Sequence, residues 1–218
     1  MVKDVFLKSN RTAFILWLSF VTIGLLTALL TKRGEPILWL NEHYSTWGMN
    51  FFTFMTRLGE SWGFLVVWGY VFLFKSVRHQ MAFLVVALLT LALVAILKHW
   101  VFEDAMRPAI YFEQLNIKIE NLPEIPLNKK HSFPSGHTTS GFAYFFFAAL
   151  CSSKQFFKAF FVVLAMLVGF SRVYLVQHFV MDVVAGSCLG VGIAVASYVV
   201  SFRWVKPHTF LDKKWLNG

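Results

Sequence analysis

With 218 residues, 57% of them hydrophobic, 18% aromatic and only 14% charged, the chain is too apolar for an ordinary soluble domain of its size. Its net charge of +9 raises nucleic acid as a partner, but the basic residues are distributed as in a membrane protein, and no nucleic acid is expected. The two cysteines, Cys151 and Cys188, lie inside apolar runs without metal-ligand spacing, which argues against a disulfide framework.

Apolar runs of about 17 to 25 residues are the signal of a spanning helix. They are read at 13–30, 61–77, 81–97, 135–152, 156–171 and 179–201. The predicted fold is an all-α membrane protein, a single domain over residues 1–218 with six transmembrane helices in one bundle. The first run follows Lys3, Lys8 and Arg11, as a secretion signal would. No small-x-small pattern follows Leu30 and five further runs come after it, so an uncleaved anchor is expected.

On one side of this six-helix layout lie eleven basic residues (Lys3, Lys8, Arg11, Lys75, Arg78, Lys154, Lys158, Arg203, Lys206, Lys213 and Lys214) against two acids, Asp4 and Asp212. The other side balances nine basic with nine acidic residues. Basic residues are retained in cytoplasmic loops, so both termini are expected in the cytoplasm, with the loops 31–60 and 98–134 outside.

The segment 31–60 mixes Trp39, Tyr44, Trp47, Phe51, Phe52 and Phe54 with polar residues, as suits the headgroup zone, either as an interfacial helix or as an aromatic-belt loop. Residues 99–134 carry Pro108, Pro123, Pro126 and Pro134 and are read as one long outer loop. Gly186 and Gly190 form a small-xxx-small pair that predicts close helix packing in the last span.

Three short blocks at the outer ends of these runs carry the chemistry. His178 and Asp182 are four apart, so on a helix they share a face and the carboxylate can hold one imidazole nitrogen, leaving the other as a nucleophile or base. A structural His–Asp pair is the alternative, although an acid at the mouth of a membrane helix is expensive to keep. In Pro134-Ser135-Gly136-His137, proline suits the first helical position, and Ser135 and Gly136 present backbone N–H groups at the positive end of a helix, where anions bind. His137 would then stand beside the anion, able to protonate a leaving oxygen; a plain helix cap with a chance histidine is the bland alternative. Arg172, Arg107 and Lys98 complete an anion site, since guanidinium forks match phosphate oxygens and lysine adds a point charge. Singly, such residues more often snorkel to headgroups.

Taken together, Lys98…Arg107-Pro108, Pro134-Ser135-Gly136-His137 and Ser171-Arg172-x5-His178-x3-Asp182 resemble the three-part signature of the type 2 phosphatidic-acid phosphatase superfamily, the membrane lipid phosphate phosphatases. The resemblance implies that His178 attacks phosphorus to form a phosphohistidine, with Asp182 orienting it. It further implies that His137 protonates the leaving group and later activates water, and that Lys98, Arg107, Arg172, Ser135 and Gly136 hold the phosphoryl oxygens. No metal or other cofactor is implied. One departure stands out: eight residues separate Lys98 from Arg107, where the family usually has six. On an unbroken helix that spacing turns Lys98 away, so it reaches the site only if the helix ends near Trp100 and the chain folds back.

The expected function is hydrolysis of a lipid phosphate monoester or diphosphate at the outer membrane surface, with the bilayer and its lipid phosphates as partners. Undecaprenyl diphosphate and phosphatidylglycerophosphate lead as substrates, with lipid A and phosphatidic acid behind. By family analogy the location is a bacterial inner membrane, the site facing the periplasm or exterior. A metal-dependent hydrolase using His137, His178 and Asp182 as ligands is opposed by the three nearby cations. A silent lipid-binding or transport protein is opposed by polar residues clustering at one surface rather than at the midplane.

Overall fold

The computed structural model describes residues 2–120, 129–204, 206–208 and 210–214, so Pro123, Pro126 and the rest of 121–128 in the outer loop lie outside the described residues. Among the described residues ten α-helices follow in chain order: α1 Val2–Ser9, α2 Arg11–Leu30, α3 Glu35–Glu42, α4 Thr46–Arg57, α5 Ser61–Phe74, α6 Val77–Ile96, α7 Pro108–Gln114, α8 Gly136–Cys151, α9 Gln155–Tyr174 and α10 Val180–Val199. Two of them continue in a π-helical turn, α6 through Leu97–Val101 and α10 through Val200–Trp204. No strand forms among the described residues.

Among the described residues four helices are long and apolar enough to cross a bilayer: α2, α6 with its π turn, α9 and α10. The predicted run 61–77 becomes the shorter helix α5, which stops at Phe74 because Lys75 and Ser76 turn extended and Ser76 starts α6. Ser61–Phe74 is 14 residues long, and α8 has 16.

α8 is the axis of the bundle. Nearly all its residues are apolar or small, so it has no polar face to offer solvent, and it is buried all round against α5, α6, α9 and α10. Its phenylalanines interlock with rings on surrounding helices: Phe142 with Phe20 of α2 at 5.2 Å, and Phe146 with Phe14 at 5.3 Å. Gly190 of α10 lies against the backbone of Thr139 and Ala143, and a Cβ on Gly186 would sit 2.7 Å from the carbonyl of Ser135. Only glycine permits that approach, as expected of the small-xxx-small pair. By contrast α2 exposes Ile15, Leu18, Ile23, Leu26, Leu29 and Leu30, a belt suited to lipid.

The segment 31–60 forms two short helices rather than a loop. α4 lays Phe52 on Phe170 and Tyr174 of α9 at 5.1 and 4.6 Å, and its next turn carries the chain into α5. Trp39, Trp47, Trp62 and Trp100 stand exposed around this end, as interfacial aromatics do. At the opposite end the chain terminus returns to the start of α6: Arg78 is clamped by Asp212 at 2.6 Å and by the carbonyls of Ser201 and Lys206. Lys158 is buried there against Asn10 and the carbonyl of Ala149.

Candidate active site

The site forms where the ends of α6 and α9, the starts of α8 and α10 and the α4–α5 turn meet. Its centre is the short link between α9 and α10. The carbonyl of Arg172 accepts from the N–H groups of both Gln177 and His178, at 2.9 and 3.0 Å, which closes the link into a tight loop. Val176 takes φ +57° to make that closure. A β-branched residue is strained in this region by about 1–3 kcal/mol, a cost met where the surrounding structure fixes the loop.

His178 therefore precedes α10 instead of lying on it, a correction to the helical-face reading. The pairing still forms: Nδ1 of His178 lies 3.4 Å from Oδ2 of Asp182. That is long for a hydrogen bond. Oδ2 is held more firmly by the Ser132 hydroxyl at 2.5 Å and by the Phe179 N–H at 3.1 Å, the latter because Asp182 occupies the first turn of α10. A carboxylate can only accept, so the tautomer that bonds Asp182 carries its hydrogen on Nδ1 and keeps the Nε2 lone pair free. His178 is buried, and burial first, then the charges of Arg172, Arg107, Lys98 and His137, keep its imidazole well below the ordinary histidine range.

The second block departs from expectation at two residues. α8 begins at Gly136 with Ser135 as N-cap, so Pro134 lies one position outside the helix and not at its first position. Serine wins because its hydroxyl caps Thr138, accepting from the Thr138 N–H and Oγ1. The N–H of Ser135 is also committed, to the carbonyl of Asp182 at 3.0 Å. Gly136 and His137 are thus the residues whose N–H groups remain at the positive end of α8.

Three cations surround this point. Arg172 donates from Nη1 to Thr56 Oγ1 at 2.5 Å, while its buried Nε has no partner among the described residues. Arg107 bonds the carbonyl of Lys130 at 2.9 Å and Gln177 at 3.3 Å, which ties the returning outer loop over the site. Lys98 is brought in despite its long spacing. α6 ends in a π turn over Leu97–Val101, the Phe102 N–H closes back on the Leu97 carbonyl at 2.8 Å, and the chain then reverses. A side-chain carbon on Gly136 would lie 3.5 Å from Lys98 Nζ, so the ammonium sits at the mouth of α8. π turns often mark such functional re-aiming.

Sequence reading missed five neighbours. Glu60 Oε1 lies 2.6 Å from His137 Nε2; Ser132 holds Asp182; Thr56 holds Arg172; Gln177 holds Arg107; and Arg33 lies over the Phe179 ring at 4.2 Å. Only Glu60 had a signal, as an acid at the very start of an apolar run. From His137 and Lys98 a cleft of about 720 Å³ runs between α5 and α6, lined mainly by Phe64, Leu84, Leu88, Leu91, Val94 and Tyr144.

The family model described as PAP2 superfamily matches residues 80–206, more than half of the chain and all three blocks. The chain belongs to the PAP2 superfamily. Among solved structures it is similar to LpxE of Aquifex aeolicus, with 27% identity and a TM-score of 0.64 over 76% of this chain and 94% of that one. The first transmembrane PAP2 type phosphatidylglycerolphosphate phosphatase from Bacillus subtilis shares the fold, with 24% identity and a TM-score of 0.58 over 87% of this chain and 94% of that one. No curated protein sequence matches the chain significantly. Membership of the PAP2 superfamily supports a phosphatase, and the long apolar helices fit a membrane protein.

Proposed function

We propose that this PAP2 protein hydrolyses a lipid phosphate monoester or diphosphate through a phosphohistidine, without a metal. The observation that carries the reading is the convergence on His178 of Arg172, Arg107, Lys98 and His137 from separate elements, with His137 and Lys98 also at the head of an apolar cleft. Such a site offers charge for phosphoryl oxygens and a dry path for a tail.

In the first step Nε2 of His178 attacks phosphorus, the new P–N bond replaces the P–O bond to the lipid, and His137 gives its proton to the departing oxygen. Asp182 keeps the proton on Nδ1 and offsets the charge gained by the imidazole. In the second step water attacks phosphorus and passes a proton to His137. The P–N electrons return to His178 and inorganic phosphate leaves. The buried Nε of Arg172, Arg107, Lys98 and the N–H groups of Gly136 and His137 would hold the three equatorial oxygens; Ser135 would act by capping α8.

We further propose that α2, α5, α6, α8, α9 and α10 all cross the bilayer, with the site outside. At about 1.5 Å per residue α5 and α8 span about 21 and 24 Å, and their flanking turns complete the crossing. Lys8, Lys75, Arg78, Lys158 and the terminal lysines share the end opposite the site, as a cytoplasmic face requires. The placement suits a bacterial inner membrane with both termini inside. Undecaprenyl diphosphate and phosphatidylglycerophosphate remain the leading substrates, with lipid A and phosphatidic acid behind. The test is phosphate release by purified protein from these four lipids and a soluble ester, with and without chelator. Release in chelator, blocked by vanadate, supports the reading; activity that returns only with a divalent ion replaces it with the metal-dependent one. Silence on the whole panel favours a lipid-binding or transport role.

A further inference from the structure

Glu60 belongs to none of the three blocks, yet its carboxylate is spent on the site. It is the N-cap residue of α5, and its side chain does not cap that helix. Instead Oε1 meets Nε2 of His137 at 2.6 Å. The turn that carries it is seated directly on His137: a Cβ on Gly59 would fall 2.8 Å from the His137 carbonyl and 2.9 Å from its Cβ, so only glycine lets the backbone come this close. Thr56, one turn earlier, is tied to Arg172, which pins the same segment from a second side.

The electrostatics give this contact a purpose. The charged groups that act on His137 are Glu60 from the α4–α5 turn, Arg172 from α9 and Lys98 from the end of α6, with His178 also within electrostatic reach. Arg57 and Arg172 face Glu60 in turn, and the hydrogen bond to His137 holds the Glu60 carboxyl below the ordinary range. Asp182 is engaged with Ser132, Phe179 and His178. A protonated His137 would therefore stand among cations with Glu60 as its one neighbouring carboxylate among the described residues. Nδ1 of His137 has no hydrogen-bond partner among the described residues.

We propose that Glu60 is a positioning residue for His137: its carboxylate accepts from Nε2–H, fixes the ring and its tautomer, and leaves Nδ1 as the nitrogen that gives up the proton. This inference rests on the phosphatase reading. The proton transferred to the leaving oxygen is the one on Nδ1, Glu60 stays ionised throughout, and in the second step Nδ1 receives the proton lost by water. A carboxylate holding the far nitrogen of a catalytic imidazole is a general device for keeping the reactive nitrogen in the right state.

The leaving group separates this role from a structural one. A departing alkoxide needs a proton; a nitrophenolate does not. With full-length protein in detergent, Glu60→Gln should lower kcat/KM for dioctanoyl phosphatidic acid by about 100-fold, the low end of what general acid catalysis contributes. For 4-nitrophenyl phosphate kcat/KM should change by less than about threefold, because that parameter reports only the first step, and a burst of nitrophenolate should precede slow turnover. Glu60→Asp should recover part of the loss, and Glu60→Gln combined with His137→Ala should be no worse than His137→Ala alone. Equal losses on both esters, or a double variant slower than either single one by the product of their effects, would overturn the assignment. A wild-type protein silent on both esters would overturn the phosphatase reading and this inference with it.

Discussion

The hydroxyl of Ser132 donates to Oδ2 of Asp182 at 2.5 Å, across fifty residues of chain, and lies 3.5 Å from Nδ1 of His178. It thus braces the carboxylate against which the proposed nucleophile, His178, is aligned. A hydrogen bond to a charged group is worth about 1.5–3 kcal/mol, so Ser132→Ala should lower kcat by about 10- to 100-fold with little change in KM. Steady-state phosphate release checks this, and a variant within twofold of wild type would show that Phe179 N–H alone suffices to hold Asp182.

His178→Ala should abolish turnover while the protein remains folded, because the Ser132 and Thr56 hydroxyls are engaged with Asp182 and Arg172 and His137 is held by Glu60. His137→Ala should be severe on alkyl esters yet still accept phosphate from a good leaving group, trapping the phosphorylated enzyme. Acid-labile, alkali-stable label on His137→Ala, and none on His178→Ala, is the expected pair of results; near-normal turnover by His178→Ala would end the mechanism.

In the proposed mechanism the neutral form of His178 attacks phosphorus, and its imidazole is kept well below 6.5 by burial first and by the neighbouring cations second. With an aryl phosphate whose ionisation is constant, kcat/KM should not fall as the pH drops from 7 through 6.5, the range in which an ordinary histidine begins to protonate. Taking away one cation relieves the repulsion against protonation, so Arg107→Gln should move the acid limb upward. An unmoved or downward limb in Arg107→Gln would remove Arg107 from the electrostatic account of His178. The same sign governs stability: below 6.5 the unfolded chain binds a proton that the folded one refuses, so this residue's contribution falls with falling pH.

The helical segments and the three blocks were legible because both depend on local regularities, apolar run length and fixed spacing. What escaped depends on how the segments close in space. His178 lies off its helix because Arg172 accepts two N–H groups and Val176 turns left-handed, which no periodicity reports. The motif reads Ser135 as a ligand of the anion, but its hydroxyl is needed by Thr138 and its N–H by Asp182. Straight-helix geometry turns Lys98 away; the π turn at Leu97–Val101 supplies the change of direction. Glu60 and Ser132 are single polar residues whose partners lie 77 and 50 positions away, beyond any motif.

The proposed topology makes a separate prediction. A reporter fused after the C-terminus should register as cytoplasmic, and a tag inserted after Ile117, beyond α7, should be reachable from outside. An external C-terminus would reverse the orientation and move the site to the inner leaflet.

The cleft between α5 and α6 gives the last prediction. Its walls are apolar from Val94 near Lys98 down through Leu91, Leu88 and Leu84 to Tyr144, while its head holds His137 and Gly136. A lipid whose phosphate rests at His178 can leave its first methylenes in this cleft without quitting the bilayer. Leu91 and Leu88 are exposed there, so a larger ring at either position fills the cleft without disturbing the buried core. Losing the burial of two methylenes, about 1.6 kcal/mol, corresponds to about a 15-fold fall in kcat/KM. Leu91→Trp should therefore depress hydrolysis of a long-chain phosphatidic acid by about that factor and leave 4-nitrophenyl phosphate within twofold of wild type. Equal losses on both substrates would mean that the substitution distorts the catalytic end; no loss on either would mean that the tail lies elsewhere.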